Sequence, residues 1–438
     1  KGEAPDCDTP ADRFDAGALP FYHSLWIGSE KMDSKPLLKN MRILDFTRVL
    51  SGPFATMMLG DLGAEVIKIE PPSGDESRFW PPIMENGTSA YFLALNRNKR
   101  SLVLNLKEDG AKKIIRKLAA QSDVVVENFT PGVAAKLGID YESLKAANPE
   151  IIYCAISGFG QDGPYRDKKA YDPIIQGMTG LMSITGEQNG PPAKIGIPAT
   201  DMMAASHAVT AILAAYISRL ETGKGQYIDV SLYDGVISWL TIMAMDYFVT
   251  GKPPERWGLD HIHRVPARAF LASDNRWVQV AATSDPMYAK FCRLLGLETL
   301  VDDPRFATNN DRVRNRDEIM PLLEAKMKTK TSPEWLQLFE EAGIPCGPIL
   351  DIGEVFAAPH IKARDMMFDM PHPVESQIPQ LGFPYKFSDA APSARLRPPL
   401  LGEHAETILS QELSMGEAEI RKLMDEKVVI GPADKGRD

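Results

Sequence analysis

Five short runs rich in β-branched residues punctuate the first third of the chain: "RILDF" (42–46), "AEVIKIE" (64–70), "RSLVLNL" (100–106), "DVVVENF" (123–129) and "IIYCAIS" (151–157). Helical stretches lie between them, "GPFATMMLGDLG" (52–63), "EDGAKKIIRKLAAQ" (108–121) and a short one after "TPG". Strand-length apolar runs alternating with amphipathic helices predict βαβ units and a mostly parallel sheet, so the fold class is α/β. A Gly/Pro-rich stretch (158–200) then leads into a long apolar helix from 202 to about 219. "TGKGQYIDVSL" (222–232) reads as turn and strand, "YDGVISWLTIMAMDYFV" (233–249) as one apolar helix, and 251–263 as loop.

A smaller α+β segment follows, with "VPARAFLA" and "WVQVAA" as strands and "PMYAKFCRLLG" and "RDEIMPLLEAKMKT" as helices. "SPEWLQLFEEAGIPCGPI" (332–349) reads as a helix running into a Gly/Pro turn. Strands near 366–387 and a helical end complete the pattern. The 438 residues, 44% hydrophobic and 25% charged, suffice for two domains or one large two-lobed one.

A net charge of −10 argues against a nucleic-acid or anionic-membrane surface as the main function. No apolar run reaches about 18 residues free of charge, so no membrane span is expected. Cys7, Cys154, Cys292 and Cys346 are far apart without a CxxC pair, which fits reduced thiols better than disulfides or zinc. The opening "KGEAPDCDTPADRFDAG" is acidic, unlike an Arg-rich transit peptide. A cytoplasmic location is the expectation, with the mitochondrial matrix the alternative if a presequence has been removed.

Several motifs invite chemistry and then withdraw it. "GFGQDG" (Gly158, Gly160, Gly163) follows a strand, but "PYRDKKAYDP" after it reads as loop, where a dinucleotide site needs a helix start. His261 and His263 in "DHIHRVP" lack further ligands at useful spacing, so a polar loop is favoured and no metal site is expected. Arg48, Lys99, Arg100, Lys107 and Lys136 fall at the ends or edges of the expected strands, where the ligand crevice of an open α/β sheet lies.

Two acids remain. Asp201, in "GIPATDMMAAS", stands at the mouth of the long apolar helix, where capping is the plain explanation. Asp172 in "KKAYDPIIQGMTG" precedes it by 29 residues, and both lie beside glycine-rich backbone able to approach a ligand closely. A desolvated carboxylate can also act as a covalent nucleophile on an activated acyl group.

Taken together, "MRILDFTRVLSGPFATMMLGDLGAEVIKIEPPSGDESR", "NRNKRSLVLNLK", "DVVVENFTPGVAAKLGID", "YDPIIQGMTGLMSITG", "GIPATDMMA", "TGKGQYIDVSLYD" and "GIPCGPI" resemble the family III CoA-transferases, over residues 41 to about 430. The resemblance implies that Asp201 is the nucleophile and Asp172 its supporting acid. It places CoA contacts at Arg48, Val49, Ser51, Leu104, Lys107, Asn128, Phe129, Lys136 and Leu232, with CoA a substrate and no permanently bound cofactor. Leu50 stands where formyl-CoA transferase carries Gln, and Gly258 lies where that enzyme's glycine-rich lid would be. Arg48, Arg264 or Arg268 would pair with a second carboxylate, because arginine suits bidentate carboxylate recognition.

The chemistry the resemblance implies is CoA transfer from an acyl-CoA donor such as succinyl-CoA to a carboxylic acid, a dicarboxylic one first, through an aspartyl anhydride and an aspartyl-CoA thioester. Helix-terminal N–H groups around 201–204 would hold Asp201 ionised. Two other readings stand beside it: a 2-methylacyl-CoA racemase, whose base position is occupied here by Tyr171, and an inactive CoA-binding partner subunit. The implied architecture is an N-terminal extension (1–40), a Rossmann-like large domain (41–235), a small domain (236–330) and a C-terminal part (331–438) returning to the large domain. Two such chains would interlock as rings in a homodimer.

Overall fold

The computed structural model describes residues 36–432; most of the expected extension, and Cys7 with it, lies outside those residues. The expected strands form in place: β1 (Arg42–Asp45), β2 (Glu65–Glu70), β3 (Lys99–Leu104), β4 (Val124–Glu127), β5 (Ile152–Ser157) and β6 (Tyr227–Ser231). They pair in parallel in the order β3-β2-β1-β4-β5-β6, the doubly wound arrangement in which strand order reverses between β1 and β4. A two-residue strand, Val429–Ile430, adds an antiparallel edge against Val103 and Leu104 of β3. Two residues are too few for a period-2 pattern to announce them.

The apolar runs are continuous because both sheet faces are covered. Leu44, Ile67, Leu102, Val125 and Tyr153 face one side and meet Ile114, Ile115 and Leu118 of the helix Asp109–Ala119. Their alternates Ile43, Val66, Val124, Val126 and Ile152 face the other and meet two helices. These are α1 (Ser51–Asp61), through Ala55 and Leu59, and the helix Ala199–Thr222, through Ala204, Ala205, Ala208 and Ile212. Small residues let that second helix lie close to the sheet. By length and composition alone its 24 residues would cross a membrane, but this alanine face is a core surface on the sheet.

Three sequence expectations change. Residues 233–249 form two helices, Leu232–Trp239 and Thr241–Thr250, separated at Leu240, with Thr241 at φ 26°. The second has no buried residue, so its apolar side chains are surface. The small unit builds on strands Ala267–Leu271, Trp277–Ala281 and Cys346–Pro348. Trp335, Phe339 and Ile344 join its core, so the small unit continues past residue 330 to its third strand. Finally, Lys99 and Arg100 lie at the start of β3. Lys99 is buried against Asp45, and Arg100 pairs with Glu65 and Glu412, so neither cation is available to a ligand.

Candidate active site

The reversal of strand order between β1 and β4 opens a crevice at the carboxyl ends of the strands, as expected for such sheets. A cavity of about 330 Å³ occupies it. Arg48, Val49, Leu50 and Ser51 line it from the turn between β1 and α1, and Asn128, Phe129 and Thr130 from the turn after β4. Leu232 closes one side, and Asp201 contributes a carboxylate. Arg166, Lys168, Lys169 and Tyr171 come from the loop after β5. "GFGQDG" is part of that loop, with Gly160 and Gly163 at positive φ and no helix start after them.

Asp201 sits in the first turn of its helix, Ala199–Thr222, which has no side-chain cap from the preceding residue, Pro198. The cap comes from elsewhere. Asp172 opens the helix Asp172–Met178, and its Oδ1 accepts both the backbone N–H and the hydroxyl of Thr200, each at 3.0 Å. Its Oδ2 accepts from Gln176 Nε2 at 2.8 Å. One orphan donor of the long helix is thereby satisfied by Asp172, leaving the Asp201 carboxylate free of capping duty.

Asp201 is half-buried and lines the cavity together with Ser51. Burial pushes its pKa up to about 6, the Asp172 carboxylate adds to the rise, and the Ser51 hydroxyl opposes it. Helix-terminal N–H groups were expected to hold Asp201 ionised; desolvation and a like charge set the direction of its shift instead, which is upward. Tyr91 lies in the same field. Burial and then Asp201, Asp75 and Asp172 push its phenol up to about 12, a neighbour that nothing in "TSAYFLAL" announced.

The β1–α1 turn is held tightly. Asn128 grips the backbone of Arg48 from one side, Oδ1 accepting from Arg48 N at 2.9 Å and Nδ2 donating to Arg48 O at 2.8 Å. The Arg48 guanidinium lies 5.5 Å from the centre of the Phe129 ring. Val49 adopts φ 67°, a left-handed conformation that costs a β-branched residue about 1–3 kcal/mol. At Gly52 an added Cβ would lie 2.2 Å from Thr47 Cγ2, so only glycine lets α1 begin this close to the turn.

The profile of CoA-transferase family III matches residues 38–405. Succinyl-CoA:glutarate CoA-transferase of Mus musculus is 40% identical over 408 residues, covering 92% of this chain and 93% of that protein. Succinate–glutarate CoA-transferase of Agrobacterium fabrum is 39% identical, covering 86% and 96% respectively. This chain belongs to CoA-transferase family III. The crystal structure of a CAIB/BAIF family protein from Brucella suis superposes on the transferase with a TM-score of 0.78 at 40% identity, covering 86% of this chain and all of that one.

Of the positions matched to the family's motifs, the transferase gathers Arg48, Val49, Leu50, Ser51, Asn128, Phe129, Leu232 and Asp201 around one cavity, with Asp172 directly behind Asp201. Lys107 and Lys136 are exposed and follow β3 and β4, on the same edge of the sheet but off the cavity lining. Leu104 is off the cavity lining, with its side chain fully buried and its backbone paired with Val429. Gly258, Arg264 and Arg268 are not brought to this cavity. Gly258 donates its N–H to Gly186 O at 2.9 Å, Arg264 is exposed, and Arg268 is engaged by Asp260 and Glu324. Arg166, Lys168 and Lys169 went unnoticed, although "YRDKK" in a Gly/Pro-rich loop concentrates three cations.

Proposed function

We propose that the transferase moves CoA from succinyl-CoA to a dicarboxylic acid, glutarate being the first candidate, with Asp201 as the covalent nucleophile. The observation that carries this reading is the division of labour between the two acids: Asp172 caps the helix, and Asp201, half-buried and uncommitted beyond Ser51, faces the cavity. The names of the mouse and Agrobacterium relatives support the substrate pair. Cations at the rim, Arg48, Arg166, Lys168 and Lys169, suit the phosphates of CoA.

In the proposed cycle an Asp201 oxygen attacks the donor thioester carbonyl, the C–S bond breaks, and CoA leaves as thiolate. The thiolate attacks the aspartyl carbonyl of the resulting anhydride, expelling succinate and leaving an Asp201–CoA thioester. The acceptor carboxylate then displaces CoA to form a second anhydride. Attack of the thiolate on the acceptor carbonyl releases the new acyl-CoA and restores the carboxylate. Two covalent exchanges preserve the thioester's free energy that hydrolysis would dissipate. A pKa of about 6 keeps Asp201 mainly ionised at neutral pH while leaving it more basic than an exposed aspartate.

The same reading includes an interlocked homodimer. Ile217 and Leu220 of the long helix and Trp239, Ile242, Met245, Phe248 and Val249 beyond it are exposed, an apolar surface suited to a second copy of the chain. Chromatographic assay of glutaryl-CoA formed from succinyl-CoA and glutarate, with Asp201→Ala in parallel, tests the activity. Product formation that depends on Asp201 is expected. No CoA transfer to glutarate or to a panel of other dicarboxylic acids overturns the reading.

A further inference from the structure

Behind the cavity wall lies a buried ion pair that the cycle above does not use. Lys68 Nζ and Asp75 Oδ2 are 3.0 Å apart with both side chains fully buried. Their remaining bonds converge on the β1–α1 turn. Lys68 donates to the carbonyl of Thr47 at 2.8 Å. Asp75 Oδ1 accepts from the backbone N–H of Val49 at 3.2 Å, and from the N–H and hydroxyl of Ser77 at 3.0 and 2.8 Å. With Asn128 on Arg48, the three consecutive residues 47–49 are each held by a polar side chain from another part of the chain.

The middle of this clamp is where the backbone is least comfortable. Val49 has the left-handed φ of 67°, which persists only where surrounding contacts over-determine it. Two residues later comes Ser51, the first residue of α1, which lines the cavity with Asp201 and whose hydroxyl favours the ionised Asp201 carboxylate. A buried ion pair is a weak source of stability, since an apolar pair of similar volume often serves as well. Its bonds to Thr47 O and Val49 N, by contrast, are specific to the shape of this turn.

We infer that Lys68 and Asp75 are positioning residues for the transfer reaction: they hold the Thr47–Val49 turn in the strained conformation that sets Ser51 on the cavity wall it shares with Asp201. The inference rests on the reading of Asp201 as nucleophile. The pair touches neither substrate nor the reacting carboxylate, and its influence passes through the backbone. Burial works to raise the pKa of Asp75, but Lys68 and the Ser77 bonds hold it well below the usual carboxylate range, so the pair stays charged across the working pH. The groups around Asp201 are Asp172, Ser51 and Tyr91, with Arg48, Glu76, Arg166, Lys168, Lys169 and Tyr171 on the cavity wall; all are retained in the variants below.

The test is kinetic. Lys68→Met/Asp75→Met removes both charges together and avoids stranding one of them. Lys68→Arg keeps the cation but misplaces its donor, and serves if the double variant does not fold. Thermal melting establishes that each variant is folded. The expected result is a kcat at least tenfold lower for the double variant and at least threefold lower for Lys68→Arg, with KM for succinyl-CoA within threefold of the parent. The acid limb of kcat/KM should move to higher pH, because the Ser51 hydroxyl no longer helps Asp201 ionise. A folded variant with kcat within twofold of the parent and an unmoved limb overturns the inference. Asp201→Ala is assayed alongside: if it remains active the nucleophile reading itself fails, whereas an inactive Asp201→Ala with an unaffected pair variant removes only the positioning role.

Discussion

Asp172 stands behind Asp201 as the cap of its helix, accepting the backbone N–H and the hydroxyl of Thr200, the residue before Asp201, at 3.0 Å each. One carboxylate thereby performs the structural task that the sequence context would assign to the other. It also places a negative charge near Asp201 and raises its pKa.

Asp172→Asn removes that charge while leaving an amide oxygen for Thr200. Asp201 then ionises more easily, and the acid limb of kcat/KM should shift to lower pH by about one unit. Asp172→Ala removes the cap as well and should cost about 0.5–2 kcal/mol of stability. A pH–rate profile and a thermal melt separate the two effects.

Burial of Asp201 has a consequence for stability. Its pKa rises from about 3.9 in the unfolded chain to about 6 in the fold, so the folded state binds the proton more tightly. The associated stability is present in full below pH 4 and is lost as pH climbs through 6. Asp201→Asn escapes that loss. It should melt higher than the parent at pH 7, by at most about 3 kcal/mol, and the difference should vanish near pH 4.

Asn128 makes two hydrogen bonds to the backbone of Arg48, the residue that carries a rim cation. Asn128→Ala leaves the guanidinium on a looser turn. KM for the acyl-CoA should rise about tenfold, equivalent to about 1.4 kcal/mol, with a smaller change in kcat. Steady-state kinetics with succinyl-CoA measure it.

Gly52→Ala inserts a methyl group 2.2 Å from Thr47 Cγ2. Relief of that clash requires α1 to move away from the turn and Ser51 to move with it. A destabilisation of about 1–3 kcal/mol is expected, together with a loss of activity larger than the loss of folded protein. Circular dichroism and activity on the same sample compare the two.

The parallel sheet was legible because both its faces are buried, which makes strands such as "DVVVE" and "IIYCAIS" uniformly apolar and easily distinguished from the helices between them. The cavity's position and its Arg48 followed from the strand ends, but its other cations did not. Lys99 looked like a ligand-facing residue and is instead paired with Asp45, since a local pattern does not show which charges have internal partners. Arg166 and Lys168 line the cavity from a loop whose path is set by tertiary packing, not by periodicity. The cap on Thr200 was equally hidden, because its acceptor lies 28 residues away in the chain. The split at Leu240 went unseen for another reason: apolar residues continue across it on a surface the chain does not itself cover.

The proposed nucleophilic role of Asp201 is tested most directly by mass. The transferase is mixed with succinyl-CoA, treated with hydroxylamine or with buffer, digested, and mapped by tandem mass spectrometry, with Asp201→Ala as the control. A CoA adduct on the untreated protein, converted by hydroxylamine to a hydroxamate at Asp201 and absent from the variant, is the expected result. An adduct on another residue, or succinyl-CoA turnover by Asp201→Ala at the parent's rate, would contradict it.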